Sequence, residues 1–232
     1  VPPFETGEEA LAERCRGRYW PPSWRDRSFA MITVFHAPRT RSLRVLWMLE
    51  EMGLPYEVRP VDFPCHRADA EFMRLNPAGS IPLLTDGDVA ISESIAIIEY
   101  LIGRHGPTPL APQPSDASYP SYLQYLHLGE ASLAGPMTVV AYSWFMGPED
   151  QRENPGVEAA RTIFRSRLKA VQTRLEDQAY MAGSAFTAAD ISVAYALGLG
   201  QGLKAVETYA PVIQDYLTRC RSRPAFQRAS AK

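Results

Sequence analysis

The sequence has few of the side chains that build metal and disulfide sites. It has three cysteines (Cys15, Cys65 and Cys220) and four histidines (His36, His66, His105 and His127) in 232 residues. The cysteines are too few and too scattered for a disulfide framework. They fit a reducing compartment, so a cytoplasmic protein is expected. The histidines lack metal-ligand spacing to one another and to the cysteines, so no metal site is expected. An excess of one charge is also missing: 24 Lys+Arg stand against 26 Asp+Glu, a net charge of -2. Without a basic field, no nucleic-acid partner is expected. No apolar run approaches the ~20 residues that span a bilayer, so no membrane partner is expected. G-x-S-x-G, a phosphate-binding glycine loop and a C-x-x-C after the first apolar run are all absent. Any nucleophile is therefore an activated hydroxyl or belongs to a ligand.

What is present is ordinary globular composition, 46% hydrophobic and 22% charged, with a length that suits one or two domains. Residues 1–30 read differently from the rest. Pro2-Pro3 and Pro21-Pro22 interrupt helix, and over residues 1–30 the acids Glu5, Glu8, Glu9, Glu13 and Asp26 match the bases Arg14, Arg16, Arg18, Arg25 and Arg27 one for one. Two readings stay open: a loosely attached extension, or an arm packed by Tyr19, Trp20 and Trp24.

From residue 31 the chain reads as two parts. Ile32-Thr33-Val34-Phe35 is a strand. Leu43, Leu46, Leu49 and Met52 mark an amphipathic helix ending at Gly53, with Ser42 as its expected N-cap. A second strand is predicted at 56–59 and a short helix at 69–75. Two apolar runs at 81–85 and 88–91 flank Asp86-Gly87, which predicts a hairpin with a type I′ turn. A helix follows over 94–103. The result is β-α-β-α-β-β-α with a mixed sheet. Residues 106–117 hold four prolines, at 107, 109, 112 and 114, and form a linker. Beyond it no strand pattern occurs. A long helix is predicted over 118–146, kinked at Gly135-Pro136. Val157, Ala160, Phe164, Leu168, Val171 and Leu175 form one stripe of a second. Thr187 and Asp190 are spaced as a capping box, with Phe186 and Ile191 at the staple positions. A last helix runs over 211–221 and stops before Pro224.

Several segments together resemble the glutathione transferases. Asn76-Pro77-Ala78-Gly79-Ser80-Ile81-Pro82 resembles the family's N-P-x-G-x-(V/I)-P turn. Residues 91–101, Ile-Ser-Glu-Ser-Ile-Ala-Ile-Ile-Glu-Tyr-Leu, resemble its E-S-x-A-I-x-x-Y-L helix start. Residues 42–51 look like the first helix of bacterial members, and the capping box is a family feature. The resemblance covers residues 31–229. It implies an α/β plus all-α protein: a thioredoxin-like βαβαββα domain at 31–105 that binds glutathione, then an all-helical domain at 118–232. It implies glutathione as co-substrate, a small electrophile as second substrate, and a homodimer.

The resemblance also implies roles for particular residues. Pro82 would be a cis-proline presenting the Ile81 backbone to the cysteinyl unit of glutathione. Ser94 would bind the γ-glutamyl carboxylate at a helix N-terminus, and Glu93 the ammonium. A hydroxyl after the first strand would hold the sulfur as thiolate. Thr40 is the first candidate and Ser42 the second. Arg39 or Arg41 would add charge, and His66 would reach the glycyl carboxylate. Tyr122, Tyr125, His127 and Glu130 would face the electrophile. Two alternative functions remain open at this stage: a glutathione-dependent peroxidase or disulfide reductase, and a non-catalytic binding or dimerisation module.

Overall fold

The computed structural model describes residues 31–63, 67 and 69–232. The expectations for residues 1–30 and for His66 lie outside the described residues. The first part contains β1 (Ile32–His36), α1 (Ser42–Met52), β2 (Tyr56–Pro60), α2 (Ala70–Leu75), β3 (Leu83–Asp86), β4 (Val89–Ser92) and α3 (Ser94–His105). The sheet order is β2-β1-β3-β4. β1 runs parallel to β2, with Val34 opposite Val58, and antiparallel to β3, with Val34 opposite Leu84. β3 and β4 pair antiparallel. This is the mixed βαβαββα unit expected from the sequence.

β1 is buried along its whole length, Thr33 and His36 included, because both faces of the central strand are covered. Val34 packs with α1 and α3 in the main core. Phe35 points to the opposite face, where it packs with Val61, Phe72 and Leu83. Asp69 caps α2 by accepting from the Glu71 and Phe72 N–H groups. The β3–β4 hairpin departs from expectation. Asp86 pairs with Val89, so the turn residues are Gly87 and Asp88. Only Gly87 has positive φ, 58°. That is the pattern of a type II′ turn, which needs positive φ at its first central residue alone.

The second part is helical among the described residues. It comprises α4 (Tyr119–His127), a π-helical stretch (Leu128–Ala134), α5 (Gly135–Phe145), a 3₁₀ turn (Glu149–Gln151), α6 (Pro155–Asp177), α7 (Ala188–Gly202), α8 (Pro211–Arg221) and α9 (Pro224–Ser230). The long helix expected over 118–146 is divided, with the π-helical stretch lying just upstream of Gly135-Pro136. Pro136 has no N–H to give, and the Gly135 N–H reaches back five residues to the Glu130 carbonyl. The Thr187–Asp190 capping box is formed at the start of α7, and Phe186 and Ile191 are both buried. α7 is the spine of the helical part, buried on nearly every side. The chain does not end its helices at Arg221: Pro224 opens α9 as a first-turn proline. α9 packs back on α1. Phe226 meets Trp47 edge-on at 4.8 Å, and Arg223 pairs with Glu51 at 2.6 Å.

Candidate functional site

The turn from β1 into α1 gathers three hydroxyl- or imidazole-bearing side chains. Ala37-Pro38 ends the strand, Arg39 adopts positive φ of 63°, and α1 begins at Ser42. His36 Nδ1 lies 2.8 Å from Ser42 Oγ. Ser42 Oγ lies 2.6 Å from Thr40 Oγ1. Thr40 Oγ1 donates to the Ala37 carbonyl at 2.7 Å. Burial holds the His36 imidazole below its ordinary value, so the ring is neutral at neutral pH. Ser42 is not the N-cap expected of it. Arg41 occupies that position with helical φ and ψ and makes no side-chain cap, while Ser42 is the first helical residue and is fully buried. Its oxygen serves the loop rather than the helix N–H groups. Thr40 is half-buried and is the more accessible of the two hydroxyls.

The second cluster forms where β4 gives way to α3. Glu93 stands at the N-cap of α3 with φ 71° and ψ 111°, a strained geometry for a residue with a β-carbon. Glu93 is exposed, and Ser94 behind it is 2% exposed. Ser94 Oγ accepts from Arg44 Nη1 at 3.2 Å. Arg44 lies in α1 and is fully buried. Its Nη2 donates to the Gly129 and Ser192 carbonyls at 3.1 and 3.2 Å. Nη1 also pairs with Glu130, and the guanidinium stacks 4.4 Å from the Tyr195 ring centroid. Burial pulls the Arg44 pKa down, and Glu130 pushes it back up. Glu130 in turn takes Arg41 Nε at 2.8 Å. Arg41 also reaches Thr138 Oγ1 at 3.0 Å. The node joins α1, α3, the π-helical stretch and α7.

A third element is the turn before β3. The Ile81–Pro82 peptide is cis. Asn76 Nδ2 holds the Ser80 carbonyl at 2.6 Å, and the Gly79 N–H bonds the Asn76 carbonyl. Ile81 is half-buried and Pro82 is buried. The remaining candidates scatter by environment. Arg39 is exposed. Tyr122 and Tyr125 sit in the helical core, and burial raises both phenol pKa values. The Tyr125 hydroxyl donates to the Ala170 carbonyl at 3.2 Å. His127 is exposed and lies 3.4 Å from Glu99. Among the described residues no group of three or more His, Cys, Asp or Glu is placed to hold a metal ion, and no helix is long and apolar enough to cross a membrane.

Two participants were missed by sequence reasoning. Arg44 was legible only as a cation flanked by Leu43, Val45 and Leu46 in an amphipathic helix, a hint that something across an interface must neutralise it. His36 carries a weak local signal, a serine six residues on across a proline bend, which suits a His–Ser contact.

Comparisons with known proteins identify the family. The glutathione S-transferase N-terminal domain model matches residues 30–103, and the glutathione S-transferase C-terminal domain model matches residues 136–224. The chain belongs to the glutathione S-transferase family. It is 28% identical over 218 residues to glutathione S-transferase 3 of Schizosaccharomyces pombe, covering 87% of this chain and 88% of that one. It is also 27% identical over 208 residues to elongation factor 1-gamma of Prunus avium, covering 85% of this chain and 48% of that one. Among solved structures it resembles the theta class glutathione S-transferase from Xanthomonas axonopodis pv. citri with glutathione bound. There the TM-score is 0.76 and the identity 27%, over 88% of this chain and 98% of that one.

Proposed function

We propose that the chain is a glutathione transferase that holds glutathione as a thiolate through Thr40 and adds it to a small electrophile. The observation that carries the reading is the state of Ser94. Its oxygen already accepts from Arg44, and among the described residues no acceptor takes its own hydrogen. A hydroxyl so placed in the first turn of a helix is a ready donor to a carboxylate, helped by the helix dipole. In this reading the γ-glutamyl carboxylate sits on Ser94, and the exposed Glu93 meets the ammonium. The Ile81 backbone beside cis-Pro82 pairs with the cysteinyl unit. Arg39 would add positive charge near the sulfur, and His66 would reach the glycyl carboxylate. Residues 31–105 are then the tripeptide-binding domain and 118–232 the helical domain, joined by the 106–117 linker.

Thiolate formation needs about 2.7 kcal/mol for a fall of about two pKa units. A hydroxyl donating to the charged sulfur supplies roughly 1.5–3 kcal/mol, and the α1 N-terminus adds up to about 1. Thr40 is favoured over Ser42 because Ser42 Oγ is sealed between His36 and Thr40. In the transfer step the sulfur lone pair forms a bond to the electrophilic carbon. The leaving group departs with the bonding pair, and the thiol proton has already passed to solvent. The electrophile would approach α4 and the π-helical stretch near His127 and Glu130, with Tyr122 and Tyr125 behind them. Two protomers would form a homodimer, acting in the cytoplasm.

A second reading, a binding module without turnover, is favoured by the match to elongation factor 1-gamma, because one fold then serves an unrelated task. Calorimetry with glutathione, followed by assays with a haloarene, a hydroperoxide and a mixed disulfide, tests both. Binding with haloarene turnover supports transfer. Turnover confined to the hydroperoxide or disulfide moves the activity to a peroxidase or reductase. Binding with no turnover leaves the module reading. Absence of binding at millimolar glutathione removes all of them.

A further inference from the structure

The His36, Ser42 and Thr40 contacts can be satisfied by one arrangement of hydrogens only. Three short contacts run in series: His36 Nδ1 to Ser42 Oγ at 2.8 Å, Ser42 Oγ to Thr40 Oγ1 at 2.6 Å, and Thr40 Oγ1 to the Ala37 carbonyl at 2.7 Å. Each needs one hydrogen between its two heavy atoms. Ser42 and Thr40 bring one hydroxyl hydrogen each, and the carbonyl brings none. The third hydrogen must come from His36 Nδ1. If the neutral ring carried its hydrogen on Nε2, one of the three contacts would set two lone pairs against each other. A 2.6–2.8 Å separation leaves no room for a water between the paired atoms, and Ser42 is fully buried. The branch from Ser42 Oγ to the Ala37 carbonyl, at 3.3 Å, is too long to replace the 2.6 Å contact.

We propose that His36 is a positioning residue: its Nδ1–H sets the direction of the hydroxyl chain, so that the Thr40 hydrogen is always directed outward from Ser42. The proposal rests on the reading of Thr40 as the donor to the glutathione sulfur. With His36 donating, Ser42 must give its hydrogen to Thr40. Thr40 then accepts from Ser42 and cannot turn its own hydrogen back toward it. That hydrogen has two places to go, the Ala37 carbonyl or a ligand on the accessible side. An anionic sulfur is a strong acceptor and takes a share of that hydrogen in a three-centre bond, in which the Ala37 carbonyl keeps its contact. With the chain reversed, Ser42 would donate to His36 and Thr40 would donate to Ser42. The thiolate would lose its partner with no atom displaced. A chain of donors also polarises its last member, which strengthens the outward hydrogen bond.

The test separates hydrogen-bond direction from simple packing. The ring nitrogens of ¹⁵N-labelled wild-type protein are read by NMR at neutral pH, without ligand. An Nδ1–H tautomer at His36 is expected, and an Nε2–H tautomer overturns the proposal without any mutation. The thiol pKa of bound glutathione is then followed by thiolate absorbance in wild type, His36→Asn and His36→Leu. The Asn amide can place a donor near the Nδ1 position, whereas Leu offers none. His36→Leu should raise the bound thiol pKa by about one unit, a tenfold loss of thiolate at acidic pH, with glutathione affinity within about twofold of wild type. His36→Asn should stay close to wild type. In a Thr40→Ala background His36→Leu should add nothing. A thiol pKa unmoved by His36→Leu, or an undiminished effect in that background, overturns the proposal while leaving the transferase reading intact. No thiolate band in the wild-type complex overturns both.

Discussion

Arg44 and Ser94, fifty residues apart, meet where α1 passes the first turn of α3, with Arg44 Nη1 donating to Ser94 Oγ at 3.2 Å. The same guanidinium holds carbonyls of the π-helical stretch and of α7. A side chain of the β-containing part therefore fixes the hydroxyl at the candidate carboxylate site and at the same time ties that site to the helical part. Stability and ligand recognition meet at one buried cation, and substitutions at the two partners, Arg44 and Ser94, read them apart.

Arg44→Met should cost about 3–5 kcal/mol of unfolding free energy, because it strands buried acceptors that the fork now serves. Arg44→Lys should recover only part, since one ammonium cannot match a planar fork. Urea unfolding of the three proteins measures both differences. An Arg44→Met protein as stable as wild type would show that the node contributes nothing to folding.

Ser94→Ala isolates the recognition half of the same pair. It should leave the unfolding midpoint near wild type, because Arg44 keeps its two carbonyls and Glu130. Glutathione affinity should fall about tenfold or more, the loss of one hydrogen bond to a charged acceptor. Calorimetry reads the affinity. Unchanged affinity would remove Ser94 from the site.

Thr40→Ala and Ser42→Ala should differ in kind. Thr40 is half-buried, and its loss should lower kcat/KM by about 10- to 100-fold with a smaller stability loss than Ser42→Ala, because Ser42 Oγ can then give its hydrogen to the Ala37 carbonyl 3.3 Å away, while Thr40→Ser keeps most activity. Ser42→Ala leaves the buried His36 donor without its partner and should cost about 1–3 kcal/mol of stability. Thermal melts beside initial rates separate the two. If Thr40→Ala kept full activity, the thiolate donor would have to be sought elsewhere.

The parts of this molecule legible in the sequence are those written in short-range chemistry. The β1 run, the Asn76-to-Pro82 turn and the Thr187–Asp190 box each declare themselves within about seven residues. Hairpin register was less legible, because Asp86-Gly87 and Gly87-Asp88 are both acceptable turns and only strand pairing chooses between them. Pro224 looked like a stop. A proline ends one helix and starts the next equally well, and α9 exists because Phe226 and Arg223 find Trp47 and Glu51 in α1. Arg44 was illegible as a site residue for the same reason. Its partners Ser94, Glu130 and Ser192 are 50, 86 and 148 residues away, and no local pattern encodes them.

Gly129 offers a test of the packing that presents the π-helical carbonyls to Arg44. A β-carbon there would overlap the Ser192 side chain and backbone in α7. Gly129→Ala should push the two segments apart and cost about 1–3 kcal/mol by overpacking. Because Arg44 bonds carbonyls on both sides of that contact, glutathione affinity should fall together with stability. A stable Gly129→Ala protein with unaltered affinity would show that the close approach is incidental.

Asp190 gives the last prediction, in which pH decides between opposing effects. Its carboxyl is buried at the start of α7, and burial pushes its pKa up to about 6. Four donors oppose that rise: the Met181 and Thr187 N–H groups, both at 2.8 Å, and the Tyr216 and Thr187 hydroxyls, at 3.0 and 3.1 Å. With the folded pKa above the unfolded value of 3.8, the folded state binds the proton first as pH falls. The slope of unfolding free energy with pH from this group is then negative between about pH 4 and pH 6. Its contribution is fully present below the unfolded pKa and is lost as pH rises through the folded one. Asp190→Asn removes that titration. From pH 7.5 to pH 4.5, wild type should therefore gain about 2 kcal/mol relative to Asp190→Asn in urea unfolding. The comparison cancels every other titrating group. Movement in the opposite direction would mean that the four donors outweigh burial and hold the carboxyl below its ordinary range.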